Sequence, residues 1–300
     1  MTWIALVVAG LKASIVCMVF AVGLSAQPRQ ALFLFVHPGR LLRMLLAMHL
    51  IMPLLVIATL AALPAAGSLA LPIKIALLAL AASPVPPILT VKGPRAGGRS
   101  EYIVGLLVSN CLLAVLIVPL SLALGERLLG RPAQIAPLGI VLRMLVTVLL
   151  PLLAGSAVHV LAPRLARSAA RPVLVASVAL LLATAVPVLL RSWPAIVQMT
   201  GNGMLLAFAA FVATGLLVGH LLGGPEPENR VVLGLATASR HPGIAVALAH
   251  SAFPAEKLVV PAVLAYLLVG ALVSTAYLKG LKHIGASSPA AIRRAAGSAR

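Results

Sequence analysis

The chain has 300 residues, 62% apolar and only 9% charged, with a mean hydropathy of +1.13, so it lacks the polar side chains to clothe a water-soluble globule of that size. A net charge of +18 does not point to nucleic acid, because the basic residues are scattered among short connecting segments and no soluble domain presents them. Aspartate is absent and all five acids, Glu101, Glu126, Glu226, Glu228 and Glu256, fall in connecting segments. This excludes proton pumps and enzymes built on paired carboxylates within the membrane.

Apolar runs separated by Pro, Gly and charge clusters predict spans near 2–26, 39–63, 70–91, 101–125, 136–161, 171–191, 200–222, 229–250 and 257–280, each close to the roughly 20 residues that cross a hydrocarbon core about 30 Å thick. The fold class is therefore an all-α polytopic membrane protein, with one transmembrane carrier domain over 1–282 and a small, basic, disordered tail over 283–300. The first segment has no basic n-region and carries Lys12 midway, so it reads as a retained span rather than a signal peptide. Cys17 and Cys111 lie inside apolar runs and read as small buried hydrophobes, with no disulfide framework or zinc site.

Nine spans put the termini on opposite sides of the bilayer. With the N-terminus outside, the cytoplasmic segments hold Arg29, Arg40, Arg43, Lys92, Arg95, Arg99, Arg164, Arg167, Arg171, Arg230, Lys279, Lys282, Arg293, Arg294 and Arg300, against Arg127, Arg131, Arg191 and Lys257 opposite. Fifteen against four is the bias that cytoplasmic loops carry. It orients the chain with a cytoplasmic C-terminus, and the expected location is a bacterial inner membrane.

Two spans contain sequence that a continuous lipid-facing helix avoids. In Ser83-Pro84-Val85-Pro86-Pro87, three prolines remove backbone donors and clash with preceding carbonyls, so helix stops. In Ala238-Ser239-Arg240-His241-Pro242-Gly243, Pro242 and Gly243 break the ladder beside two basic side chains. One interrupted span in each half points to a carrier with its site at the facing breaks; a loop between short spans and a simple kink are the plainer readings. A central Arg costs about 2.5–3.5 kcal/mol on insertion scales, and no acid shares the span of Arg240 or its neighbours. Arg240 therefore meets backbone carbonyls and water, or an anion from outside. Lys12, Lys74 and Arg143 lie near enough to span ends to snorkel, and His49, His159, His220 and His250 read as structural.

These residues resemble the bile acid:sodium symporter family. Met18-Val19-Phe20-Ala21-Val22-Gly23-Leu24-Ser25, then Pro28, then His37-Pro38 resemble its first characteristic region. Ala82-Ser83-Pro84 and the following residues to Val91 occupy the place of one crossing helix, and Asn229-Arg230 through Gly243–Leu248 that of the other. The resemblance implies ten spans in two inverted repeats, or nine without the first helix, divided into panel and core domains with the solute cavity between them. It also implies a sodium site whose Glu, Gln and Asn positions here read Ala236, Arg240 and His241.

A guanidinium where sodium would bind repels the ion and supplies its charge. The expectation is a sodium-independent secondary transporter of a small organic anion working by alternating access. Its candidate ligands are Arg240, His241, Thr90, Lys92, Ser109 and Asn110; its helix breakers are Pro84, Pro86, Pro87, Pro242 and Gly243. For Ser109 and Asn110, interhelical hydrogen bonding is an equal alternative. No cofactor or metal is expected, and the partners are the solute and the bilayer. Competing readings are a carrier of the same fold for another solute, auxin-efflux-like or arsenite-like, and a transport-inactive sensor or assembly protein. No HExxH motif or acid-supported Ser/His constellation suggests an enzyme.

Overall fold

The computed structural model describes residues 3–62, 69–129, 137–201 and 203–283, and every regular element among them is helical. The basic tail beyond 283 lies outside the described residues. Helix α1 is Trp3–Ser25; α2 runs without interruption through Pro38–Leu45, a π-helical stretch Leu46–Ile51 and Met52–Ala62. Then come α3 (Leu71–Ala82), α4 (Leu89–Arg95) and α5 (Ser100–Leu129). Helix α6 joins Pro137–Met144, a second π-stretch Leu145–Leu149 and Leu150–Leu161, and is followed by α7 (Pro163–Arg191). The chain ends with α8 (Met204–Leu222), α9 (Pro227–Ala238), α10 (Pro242–Ala252) and α11 (Val259–His283).

Among the described residues, seven stretches are long and apolar enough to cross a bilayer, and with two shorter apolar helices, Ala9–Ser25 and Leu71–Ala82, they make roughly nine spans. The protein is an integral membrane protein. Some boundaries differ from expectation. Helix α7 starts at Pro163, eight residues before the expected 171, because Arg164, Arg167 and Arg171 are good helix formers whose charge marks the interface without ending the helix. The expected start at 200 falls instead at the end of a short helix, Trp193–Thr200, and the span proper begins after Gly203, whose φ of +75° suits glycine.

The helices sort into two bundles. Helix α1 packs chiefly on α6 and α7; the closest approach is Gly23 on Gly155, where a Cβ on either would strike the other helix's backbone. His159 Nδ1 donates to the Leu24 carbonyl at 2.7 Å in the same seam. The second bundle holds α2–α5 and α8–α11, with α8 against α9 as its tightest pair. The span containing α9 and α10 is 89% buried in its most apolar window, against 11% for α7, so the broken helix is central and α7 peripheral.

Both π-stretches precede a proline. A π-register pairs each N–H with the carbonyl five residues back; the donor due to the Met48 carbonyl is residue 53, and Pro53 has none. Helix α2 thus carries an unclaimed carbonyl into the protein interior. At the end of the second bundle where α2 begins, Arg40 Nη2 meets Glu226 Oε1 at 3.0 Å and Asn229 Nδ2 reaches Oε2 at 3.2 Å. A backbone hydrogen bond, with Arg40 adding to it, holds the Glu226 carboxyl below the ordinary glutamate range.

Candidate functional site: the crossing of two broken helices

Non-helical backbone in the membrane interior must find protein partners for each N–H and C=O, and these two breaks do so by meeting. Ser83 is extended (φ −74°, ψ 145°), as are Ser239 (−92°, 123°) and His241 (−75°, 105°). The His241 N–H donates to the Pro84 carbonyl at 2.8 Å. Pro84, Pro86 and Pro87 offer no N–H, which lightens the demand, and the Val85 N–H goes to Asn110 Oδ1 at 2.9 Å. Tyr266 serves the second break from α11: its hydroxyl accepts the Arg240 N–H at 2.8 Å and donates to the Ala238 carbonyl at 2.6 Å. His241 caps α10, accepting the Ile244 N–H at Nδ1 at 3.4 Å.

Arg240 closes the arrangement. Its side chain, 1% exposed, gives Nη1 to the Ser83 carbonyl at 3.2 Å and Nη2 to the Met48 carbonyl at 3.0 Å. The guanidinium thus bonds one carbonyl freed by the first break and the one that Pro53 leaves unclaimed in α2. Both terminal nitrogens hold main chain rather than face an open site, which is the first of the two roles open to Arg240 in sequence. Arg240 Nε and His241 Nε2 are buried without a partner among the described residues.

A cavity of about 270 Å³ lies beside the crossing, between the bundles, lined by Met18, Pro86, Lys92, Ser239, Arg240, His241 and Tyr266 among others. A second, of about 280 Å³, shares Lys92, Ala271 and Ser274 with it and adds Arg95. Of the six expected ligands, the fold brings Lys92, Arg240 and His241 to one cavity. Thr90, Ser109 and Asn110 line neither. Thr90 Oγ1 donates to the Pro87 carbonyl at 2.8 Å, Ser109 Oγ is buried without a partner among the described residues, and Asn110 also gives Nδ2 to His49 Nε2 at 3.0 Å. Among the breakers, Pro86 and Pro242 reach the cavity wall; Ala236 is buried and does not line it.

Asn110 is therefore a tether for the first break. Replacing it with alanine leaves the buried Val85 N–H unpaired, at a cost of about 1–3 kcal/mol. We expect a matching fall in unfolding midpoint in detergent; an unchanged midpoint would refute the tether.

Tyr266 and the Met48 carbonyl were not legible as members of the site. Tyr266 is one of three tyrosines in an aromatic-poor chain, and a buried hydroxyl in an apolar span is a signal that could have found it. Among the described residues no group of three or more His, Cys, Asp or Glu could hold a metal ion.

A model of the sodium bile acid symporter family matches residues 13–199. The match takes in the first break and ends before the second, where Arg240 sits. No curated protein matches the chain.

Proposed function

The chain belongs to the sodium bile acid symporter family, and from that premise we propose that it carries a small organic anion by alternating access without sodium. Membership in a family of transporters supports reading it as a membrane transporter. The finer reading rests on Arg240, a fixed cation enclosed at the crossing and bonded to carbonyls of two helices.

A bound metal ion at such a place would gather oxygen ligands and leave with the solute; the Arg240 guanidinium gathers the Ser83 and Met48 carbonyls and stays. Positive charge at the crossing then needs no ion to be recruited, and a carboxylate or sulfonate is drawn to it through low-dielectric surroundings. Lys92 supplies the mobile contact. Its ammonium has no partner among the described residues, and it lines the same cavity as Arg240 and His241.

The partners of Arg240, Ser83 and Met48, lie in its own bundle. The clamp does not bolt one bundle to the other, which favours a working carrier over a transport-inactive scaffold. The distribution of Lys and Arg supports an N-terminus outside and a C-terminus in the cytoplasm of a bacterial inner membrane.

Uptake of organic anions into proteoliposomes tests the reading. The expected rate is the same within twofold with or without a sodium gradient, and Lys92→Gln raises KM about tenfold, the weight of one charge-assisted contact. Uptake that requires the sodium gradient would overturn it.

A further inference from the structure

Three guanidiniums gather around one turn at the end of the second bundle where α2 begins. The turn between α8 and α9 passes through Gly224, where a Cβ would strike the Arg43 guanidinium. Arg230, exposed near the start of α9, donates Nε to the Gly224 carbonyl at 2.6 Å. Arg40 is engaged by Glu226 and lies over Phe33, its Cζ 5.3 Å from the ring centroid. The other acid nearby in sequence, Glu228, makes no ion pair among the described residues. Arg43 makes neither a hydrogen bond nor an ion pair among them, and the terminal nitrogens of Arg230 are unengaged.

Beside this turn, residues 26–37 join α1 to α2 and lie along α5. A Cβ on Gly105 would stand 3.0 Å from the Gln30 carbonyl oxygen and 3.1 Å from Phe33 Cβ. The segment buries Leu34 and leaves Leu32, Phe35 and Val36 exposed, as α2 leaves Leu42. Large apolar side chains bared at the end of a membrane-spanning helix, next to guanidiniums without an anion, match a phospholipid in both parts: phosphate at the surface, hydrocarbon beside it.

We propose that Arg43 and Arg230 hold the phosphate of an anionic phospholipid of the surrounding leaflet, with its acyl chains against Leu32, Phe35, Val36 and Leu42. This lipid is a resident of the outer wall rather than cargo, so the site does not rest on which solute the chain carries. The planar fork of a guanidinium suits a phosphodiester. A glycerol headgroup adds no charge to it, whereas choline brings a further cation to a place that already has two. Arg43 precedes Met48 by five residues, about 7.5 Å along α2, and Arg230 stands on the helix that leads to Arg240. The lipid therefore joins at the membrane surface the same stretches of chain that the bond from Arg240 to the Met48 carbonyl joins at the crossing.

The test is titration of the full chain in detergent with dioleoylphosphatidylglycerol, dioleoylphosphatidylcholine or sodium phosphate, with bound lipid counted by native mass spectrometry. Phosphatidylglycerol should bind saturably, about tenfold tighter than phosphatidylcholine, and sodium phosphate should not displace it. Arg43→Gln gives up no hydrogen bond within the protein, so it should keep the unfolding midpoint in lipid-free detergent while lowering phosphatidylglycerol affinity about tenfold. Arg230→Gln should lower that affinity similarly, and Arg43→Lys should stay within about threefold of the unsubstituted chain because it retains the charge. Equal affinity for the two lipids, or phosphatidylglycerol binding unchanged in Arg43→Gln, would overturn the proposal. Displacement by sodium phosphate would overturn the lipid assignment in favour of a free-anion site. Absence of organic-anion flux in vesicles with phosphatidylglycerol binding intact would overturn the carrier reading and leave the lipid site standing.

Discussion

Arg240→Gln is expected to lower the transport rate by at least tenfold and to destabilise the protein by about 2–4 kcal/mol, read as uptake in vesicles and as unfolding midpoint in detergent. Hydrogen bonds from a charged donor are worth about 1.5–3 kcal/mol each, and Arg240 makes two, to the Ser83 and Met48 carbonyls. Part of that is offset, because glutamine is spared the desolvation cost of a buried charge. Its single amide nitrogen cannot span two carbonyls on different helices as the guanidinium fork does. Arg240→Lys keeps the charge and loses the fork, so it should retain more transport than glutamine while melting lower than the unsubstituted chain. If Arg240→Gln left both rate and midpoint unchanged, neither the clamp nor the charge would matter at this crossing.

Gly219→Val should have a comparable effect by a different route. A Cβ at Gly219 would strike the Leu233 carbonyl oxygen and the Gly234 Cα of α9, and backbone, unlike the tip of a side chain, cannot turn away. Helices α8 and α9 would have to separate. Small residues at membrane helix interfaces permit this close approach, and overpacking typically costs about 1–3 kcal/mol; with two further methyl groups the loss should lie at or above the upper figure. Helix α9 leads straight into Ser239 and Arg240, so the shift would also misplace the clamp. Loss of folded protein in detergent is the expected result, with Gly219→Ala intermediate. A Val variant as stable as the unsubstituted chain would show that α8 and α9 do not depend on that contact.

The spans were legible because a bilayer demands a continuous apolar run, and the breaks because Pro84, Pro86, Pro87 and Pro242 declare themselves in any sequence. What closes the breaks was not. Arg240 binds carbonyls 157 and 192 positions away, and main-chain oxygens carry no residue-type signal. Asn110 read equally as a solute ligand or as an interhelical hydrogen-bonding group, because an amide in a span must bond something; only the fold reveals that a partner is the Val85 N–H.

The crossing is fastened largely through backbone: the Pro84, Ser83, Met48 and Ala238 carbonyls accept, and the Val85, Arg240 and His241 amides donate. Most of those positions could change identity without undoing a bond, so the cavity wall is free to vary while Arg240, Asn110 and Tyr266 hold the joint. Such a joint lets a lineage of carriers exchange one cargo for another by altering side chains such as Lys92, without having to reinvent the mechanism that moves them.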